Sequence, residues 1–158
     1  MNRKWIGLAA ALALVAACGL AGRVSIAQDQ EKPKEQETPL GRIMEKVQKH
    51  NIALTKGTRN VAAFKKSQKE VEKSSGELAK LAKESKPYKE AYLKNAKDES
   101  NPQKRWDEIM DAFARTSKEL ASAAAKEGAT QKEAKDLFQK VKNTCADCHT
   151  VFRIEKEF

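Results

Sequence analysis

The chain has 158 residues, of which 34% are charged and 40% hydrophobic, and its formal net charge at pH 7 is +9. This length suits one domain of ordinary size and excludes a second independent core. Lysines are interleaved with glutamates along the chain, as on solvated helix faces, so the positive charge is a weak indication of nucleic-acid binding. We expect no nucleic-acid partner.

The N-terminal segment has the features of an export signal. Positive charge at residues 2–4 precedes an uncharged run over residues 5–22, and the small side chains of Ser25 and Ala27 lie where a signal peptidase reads them. We predict cleavage before Gln28, which gives a signal peptide over residues 1–27 and a periplasmic or otherwise exported protein. Cleavage removes three of the 31 basic residues and none of the 22 acidic ones, so the mature chain stays moderately basic at 28 against 22.

Two other ways of processing this leader stay open. Residues 15–18, Val-Ala-Ala-Cys, resemble a lipobox, in which Cys18 is lipidated and becomes the first mature residue. Alternatively the uncleaved apolar run anchors the protein, although it is short and rich in alanine for a span of about 20 residues. We therefore expect membrane association only if Cys18 is lipidated or the leader is retained.

The remainder divides into a linker and a helical domain. Residues 28–38 are polar, contain proline and lack apolar periodicity, which predicts a flexible linker. Residues 39–158 carry four segments with apolar side chains at helical spacing, and no segment alternates with a strand period. Short connections between four amphipathic helices predict an all-α fold, an antiparallel up-down-up-down four-helix bundle.

Local signals set the expected helix bounds. A hydroxyl or amide side chain followed by proline starts the first and third helices at Thr38-Pro39 and Asn101-Pro102, and a capping box at residues 130–133 starts the fourth. The second helix is expected to begin near Thr58, and a Ser-Ser-Gly-Glu sequence at 74–77 allows a break in it. The connection over residues 88–101 is expected to contain one short helical turn.

Without the leader the chain contains two cysteines, Cys145 and Cys148. They are too close in sequence to crosslink distant elements, which excludes a disulfide framework. With His149 they form C-x-x-C-H, the attachment pattern of c-type haem, in which two thiols add to the vinyl groups on one edge of the porphyrin. On a helix, residues three and four apart project from one side, so the imidazole is brought beneath the iron.

The motif predicts one covalently attached haem c, held by Cys145 and Cys148, with His149 as an iron ligand. A thioredoxin-type dithiol is a weaker interpretation, because that motif belongs with a βαβ context and no strand is predicted. A zinc site needs about four ligands, whereas the mature chain offers two cysteines and two histidines, with His50 remote in sequence. The export signal agrees with haem attachment, which takes place outside the cytoplasm.

A C-x-x-C-H motif near the C-terminus of a four-helix pattern resembles the class II cytochromes c, the cytochrome c-prime family. The resemblance extends to residues 148–153, Cys-His-Thr-Val-Phe-Arg, because the family tends to have an aromatic and then a basic residue after the histidine. It covers residues 38–158, by sequence at the motif and by helix pattern elsewhere. Leu40 departs from the family, many of whose members have an aromatic or basic residue early in the first helix.

In that family the iron face opposite the histidine looks at the first helix. Members have there either an apolar side chain and a five-coordinate, gas-binding iron, or a methionine and a six-coordinate iron. Met44 has the matching position in this sequence, so the resemblance implies Met44 and His149 as axial ligands, a pair that raises the reduction potential and closes the site to small gases. The alternative is that Met44 is a core filler on the apolar stripe of its helix.

Four other residues receive secondary roles. Met110, on the inner face of the third helix, is a fallback ligand. His50 lies nearly two turns beyond Met44 and is interpreted as a packed or partly exposed histidine. Arg153 is a candidate for the haem edge or a propionate, with a solvated cation at a helix end as its alternative. Arg42 is a weaker propionate candidate.

These expectations describe an exported monohaem cytochrome that carries single electrons and is not an enzyme, because the sequence shows no distal histidine and arginine pair for acid–base chemistry. The alternative is a five-coordinate protein that binds NO or CO, which follows if Met44 packs without ligating. Expected partners are redox proteins, with acidic ones as one option. The resemblance also implies a homodimer through the first two helices, where Val61, Phe64 and Val71 serve either the dimer or the monomer core.

Overall fold

The computed structural model describes residues 38–96 and 98–153. Within these residues the protein is all-helical, as predicted, and contains no strand. It has five α-helices rather than four, because the connection between the second and third long helices holds a short one after a 3-10 turn at Lys86–Tyr88. The helices are α1 (Pro39–Gly57), α2 (Val61–Ser85), α3 (Glu90–Leu93), α4 (Pro102–Ala124) and α5 (Gln131–Phe152).

The predicted signal peptide at residues 1–27 lies outside the described residues, as does the predicted linker apart from Thr38. Both therefore stay predictions, and the same holds for the lipidation of Cys18. Among the described residues, no helix combines the length and the apolar character that crossing a membrane requires.

Three of the long helices begin where the local signals predict. In each, the side-chain oxygen of the residue before the helix accepts a hydrogen bond from a backbone N–H that the helix itself leaves unpaired. The pairs are Thr38 with Gly41 at 3.0 Å, Asn101 with Lys104 at 3.0 Å and Thr130 with Glu133 at 3.2 Å. The start of α1, α4 and α5 is thus encoded within four residues of sequence.

The second long helix begins later than predicted, at Val61 rather than near Thr58. Thr58 belongs to the end of α1, because its hydroxyl and its backbone N–H both donate to the carbonyl oxygen of Leu54, at 2.8 and 2.9 Å. Asn60 then caps α2 by accepting from the N–H of Ala63 at 2.8 Å. A threonine hydroxyl can cap the start of a helix or bond to the carbonyl of the preceding turn, and the Thr58 hydroxyl does the second.

α2 is continuous across Gly76, where the sequence allowed a break. The serines before the glycine do not cap a new helix. The Ser75 hydroxyl donates to the carbonyl oxygen of Val71 one turn earlier, at 2.7 Å, and the side chain of Ser75 is fully buried. A hydroxyl that is paired inside the helix leaves no reason for the backbone to end there.

The long helices pack in sequence order: α1 against α2, α2 against α4, and α4 against α5. α1 and α5 make no comparably close approach, so the side of the molecule between them is open. Phe64 and Val71 are buried in the main apolar cluster at 2% and 1% exposure, whereas Val61 is 57% exposed. Phe64 and Val71 therefore serve the monomer core, where burial of each stabilises the fold by about 1.5–3 kcal/mol.

The connection between α2 and α4 crosses one end of the molecule. The hydroxyl of Tyr92 lies 3.3 Å from that of Thr38, just before α1, and its ring stacks on Trp106 of α4 with 6.0 Å between ring centroids. The Asn95 side-chain amide donates to the carbonyl oxygen of Phe152 at the end of α5, at 3.2 Å. One short segment thus contacts the ends of three long helices.

Candidate functional site

The C-x-x-C-H motif lies in the last two turns of α5, on a helix as predicted. The helix is held against α4 by its buried side chains, among them Val141 and Phe152. Cys145 and Cys148 are partly buried free thiols, and His149 is exposed. Their spacing of three and four residues brings all three toward the side of α5 that looks across the open side of the molecule.

Two adjacent cavities lie on this open side, between α1, α4 and α5. The first has a volume of about 200 Å³ and the second of about 170 Å³. The first is lined by Met44, Val47, Gln48, Asn51, Met110, Phe113, Thr144, Cys145, Cys148 and His149. The second is lined by Leu40, Gly41, Met44, Tyr92, Trp106, Met110, Cys148, His149, Phe152 and Arg153.

Four side chains line both cavities and mark where the two meet. They are the thioethers of Met44 and Met110, the thiol of Cys148 and the imidazole of His149. The structure therefore brings together all five residues that the sequence predicts at the site, with Cys145 in the first cavity and Arg153 in the second. Their roles as ligands stay predictions.

The residues that line the cleft are chemically compatible with a largely apolar prosthetic group such as haem. Together the two cavities lie within the range of about 300–1,000 Å³ that cofactor sites occupy. Apolar atoms make up most of the exposed lining surface, and one buried polar atom in the wall, the indole Nε1 of Trp106, has no hydrogen-bond partner among the described residues. Two thiols, an imidazole and a thioether complete the donor set that haem attachment and axial ligation use.

The two thiols are in a neutral environment. Burial raises the pKa of Cys145, and burial together with the neighbouring Cys145 raises the pKa of Cys148 to about 11. Dithiol oxidoreductases instead have a cysteine whose pKa is lowered by a positive charge or a helix N-terminus. The motif lies at the C-terminal end of α5, where the helix dipole opposes a thiolate. This environment disfavours the thioredoxin-type interpretation.

Arg153 directly follows α5, and its backbone N–H donates to the carbonyl oxygen of His149 at 3.2 Å. Its side chain is exposed at the rim of the second cavity. This position is open to an anionic substituent of a bound group and equally to water. Arg42 is exposed and lines neither cavity.

His50 is also outside the cleft. Its Nδ1 lies 3.2 Å from the hydroxyl of Ser74 on α2, and that hydroxyl donates to a carboxylate oxygen of Glu70 at 3.0 Å. The interpretation of His50 as a packed histidine agrees with this contact. Among the described residues, no group of three or more His, Cys, Asp and Glu side chains is arranged to hold a metal ion.

Some lining residues were not singled out from the sequence. Gln48 and Asn51 follow Met44 by four and seven residues, so helical spacing alone puts them on the same face and would have found them. Tyr92 comes from the connection across the end of the molecule, and no local pattern signals its place in the wall. Trp106 is both buried, at 1% exposure, and part of the second cavity's wall.

None of the family models, curated proteins or solved structures compared with this chain matches it.

Proposed function

We propose that the protein is an exported monohaem c-type cytochrome that carries single electrons between redox partners, and that it is not an enzyme. One observation carries the proposal: the thiols and imidazole of a C-x-x-C-H motif line an apolar cleft, and the thioether of Met44 from the facing helix lines the same cleft. Covalently bound haem would supply the one-electron redox couple of its iron.

The chain's own residues would perform three tasks. Cys145 and Cys148 would hold the group covalently, so that it is not lost to water after export. His149 and Met44 would each supply a neutral donor atom from opposite helices, which leaves no open position for a gas. The apolar walls would exclude water and so favour the reduced, less charged state of the site.

The proposal includes the antiparallel up-down-up-down arrangement of α1, α2, α4 and α5. It is supported by the pairwise packing in sequence order and by the cavities themselves. From the first cavity to the second, the α1 residues in the walls run from Asn51 back to Leu40, while the α5 residues run from Thr144 forward to Arg153. Opposite chain directions on the two sides of a cleft are those of antiparallel helices.

The second candidate is a five-coordinate protein that binds NO or CO. It is favoured by a specific observation: Met44 packs against both apolar clusters of the core, as a methionine with a purely structural role does. If the Met44 sulfur stays in that packing, the iron face toward α1 is free for a small ligand. The two candidates differ in whether the Met44 sulfur is bonded to the iron, and this bond changes the optical spectrum.

The test is the optical spectrum of the haem-loaded protein, oxidised and reduced, with and without carbon monoxide. For the electron carrier we expect a low-spin spectrum with the far-red charge-transfer band of a methionine–iron bond, lost in Met44→Ala and kept in the matched control Met110→Ala. A band lost only in Met110→Ala would assign the ligand to α4. A high-spin spectrum that responds to carbon monoxide and ignores both substitutions would favour the gas-binding protein, and a protein that attaches no haem would sink both.

A further inference from the structure

The net charge of the helical domain is concentrated in one hairpin. Residues 38–153 contain 25 basic and 16 acidic side chains. Seven of the basic ones and none of the acidic ones lie in residues 46–69, so the remaining positions are nearly balanced at 18 against 16. The expectation that opposite charges are interleaved along the whole chain is therefore wrong for this segment.

These seven cations share one end of a packed helix pair. They lie on the second half of α1, in the turn that follows and on the first third of α2, and all are exposed. The α1 part is about 17 Å long at 1.5 Å per residue, and packed helices lie about 8–10 Å apart. We call this set the basic hairpin: Lys46, Lys49, Lys56, Arg59, Lys65, Lys66 and Lys69.

No cation of the basic hairpin forms an ion pair with a carboxylate of the described residues. The eight ion pairs found there all lie elsewhere, and they include contacts as short as the 2.6 Å between Lys86 and Asp111. The two acids that border the segment are Glu45 and Glu70, and Glu70 accepts a hydrogen bond from Ser74. Seven cations in one segment without an ion pair repel one another at a cost in stability, which a countercharge supplied by a partner would relieve.

The same segment holds apolar contact points. Ile52 and Val61 are 44% and 57% exposed, and they are two of the three large hydrophobic side chains that are exposed among the described residues. Protein interfaces combine apolar contacts with complementary charge around them. Two separate side chains are too few for the apolar face with which an amphipathic helix enters a membrane surface. The combination favours a protein partner over a lipid one.

The α1 part of the basic hairpin borders the cleft, whereas its turn lies at the start of α5, where the side-chain amide of Gln131 donates to the carbonyl oxygen of Thr58 at 2.7 Å. Gln48 and Asn51 line the first cavity, and the next residues in α1 are Lys49 of the basic hairpin and Ile52. A partner seated here would lie beside the cleft without covering the motif on α5. Two copies of this chain facing each other through the basic hairpin would oppose seven like charges, so a self-paired dimer through this surface is disfavoured.

We propose that the basic hairpin is the docking surface for an acidic protein. Its identification as the redox partner rests on the proposed function, whereas the docking itself does not. The surface combines long-range attraction by the cations with short-range contact at Ile52 and Val61, and its α1 part lies next to the site that the partner would serve.

The experiment uses poly-L-glutamate as the probe and the haem-loaded protein as purified. Carbodiimide coupling followed by mass spectrometry should find crosslinks concentrated at the lysines of the basic hairpin, and an even spread over the lysines of the chain would overturn the proposal.

Binding of poly-L-glutamate is compared for a charge-reversed variant and a matched control, with circular dichroism showing that both keep their helices. The variant is Lys49→Glu, Lys56→Glu, Lys66→Glu, and the control is Lys94→Glu, Lys118→Glu, Lys135→Glu.

Both triple variants lose the same net charge at exposed lysines outside the ion pairs. We expect the hairpin variant to bind poly-L-glutamate at least about tenfold more weakly and the control less than about threefold, since local charge sets the attraction. Equal weakening would mean that net charge alone matters and would overturn the docking surface.

Two further outcomes would reassign the surface. Tighter binding to vesicles of phosphatidylglycerol than to poly-L-glutamate, abolished by Ile52→Ser with Val61→Ser, would make it a membrane site. A dimer in sedimentation that Lys66→Glu dissociates would make it a contact between copies of the chain. The proposed function is tested separately from the docking surface. A protein that shows no haem spectrum but still crosslinks through the basic hairpin would support the docking surface and reject the assignment as a cytochrome.

Discussion

Cys148 shows how far a residue's environment constrains its chemistry. It lines both cavities, and burial together with Cys145 raises its pKa to about 11. The neutral thiol then persists through the physiological range, because a raised pKa means that the thiolate forms only as the pH approaches that value. A thiol in this state forms little thiolate and is unsuited to rapid disulfide exchange.

Alkylation of the haem-free, folded protein by iodoacetamide tests this. At pH 8 we expect Cys148 to react more slowly than free cysteine, whose pKa is about 8.5, and the rate should keep rising up to about pH 11. The rate is measured at each cysteine by mass spectrometry, with urea-unfolded protein as the control. A reactive thiolate below pH 8 would instead favour dithiol redox chemistry.

Residue spacing and the family resemblance predicted different parts of the cleft. Spacing alone puts the three motif residues on one side of a helix, whereas the place of Met44 opposite them was implied by the resemblance. Tyr92 could not be predicted, since its place in the wall depends on how the connection crosses the end of α1 and α4. Spacing places a residue on a face, and only tertiary packing decides what that face meets.

Among the helices, the contact between α1 and α2 depends on the glycine at its closest point. A Cβ atom at Gly57 would lie 2.7 Å from Cγ2 of Val71, which is 1% exposed and stiff because it is β-branched. Gly76, in the same helix pair, has no atom within 4 Å of a Cβ position. A side chain added at Gly57 would therefore clash with α2, whereas one added at Gly76 would meet open space.

We expect Gly57→Ala to lower the free energy of unfolding by about 1–3 kcal/mol, because overpacking forces the two helices apart. Gly76→Ala is the matched control and should raise it by about 0.5–1 kcal/mol, since alanine loses less backbone entropy in a helix. Urea denaturation followed by circular dichroism measures both. A Gly57→Ala protein as stable as the original would mean that α1 and α2 are not this close in solution.

Helix starts and helix interiors differed in how well the sequence predicted them. The starts at Thr38, Asn101 and Thr130 rest on one side-chain cap each, which is a local interaction. Thr58 and Ser75 carry the same chemistry but turn their hydroxyls back onto the preceding turn. Which option a hydroxyl takes depends on the helix it is buried against, so these two positions could not be read locally.

For the whole molecule, the packing order sets a gradient of local stability. α2 and α4 each pack against two long helices, while α1 and α5 each pack closely against one and border the cleft. Local opening is easiest where fewest contacts are lost. Without a bound group, the outer helices are therefore the weak part of the fold.

Hydrogen exchange measured by mass spectrometry should show this gradient. In haem-free protein we expect the slowest amide exchange in α2 and α4 and faster exchange in α1 and α5. Covalent haem should slow exchange in residues 40–51 and 144–153, which line the cleft, and leave α2 nearly unchanged. Uniform protection in the haem-free protein would contradict the gradient.

The export prediction concerns the part of the chain outside the described residues. In a bacterial host that attaches c-type haem, we expect the protein in the periplasm, with Gln28 as its first residue in intact-mass and N-terminal sequencing. A mature chain that begins at lipidated Cys18 would identify a lipoprotein, and one that keeps residues 1–27 would identify an anchor. Each outcome has a distinct mass.

The basic hairpin makes the charge of residues 38–153 uneven, since the excess positive charge lies there and the other positions are close to balanced at 18 against 16. In the field of an approaching acidic surface such a molecule rotates before it collides, so encounters begin with the hairpin leading. Because the α1 part of the hairpin borders the cleft, an encounter in this orientation would bring the partner beside the site. The speed of an exchange between partners would then be governed by ionic strength rather than by the tightness of the final complex.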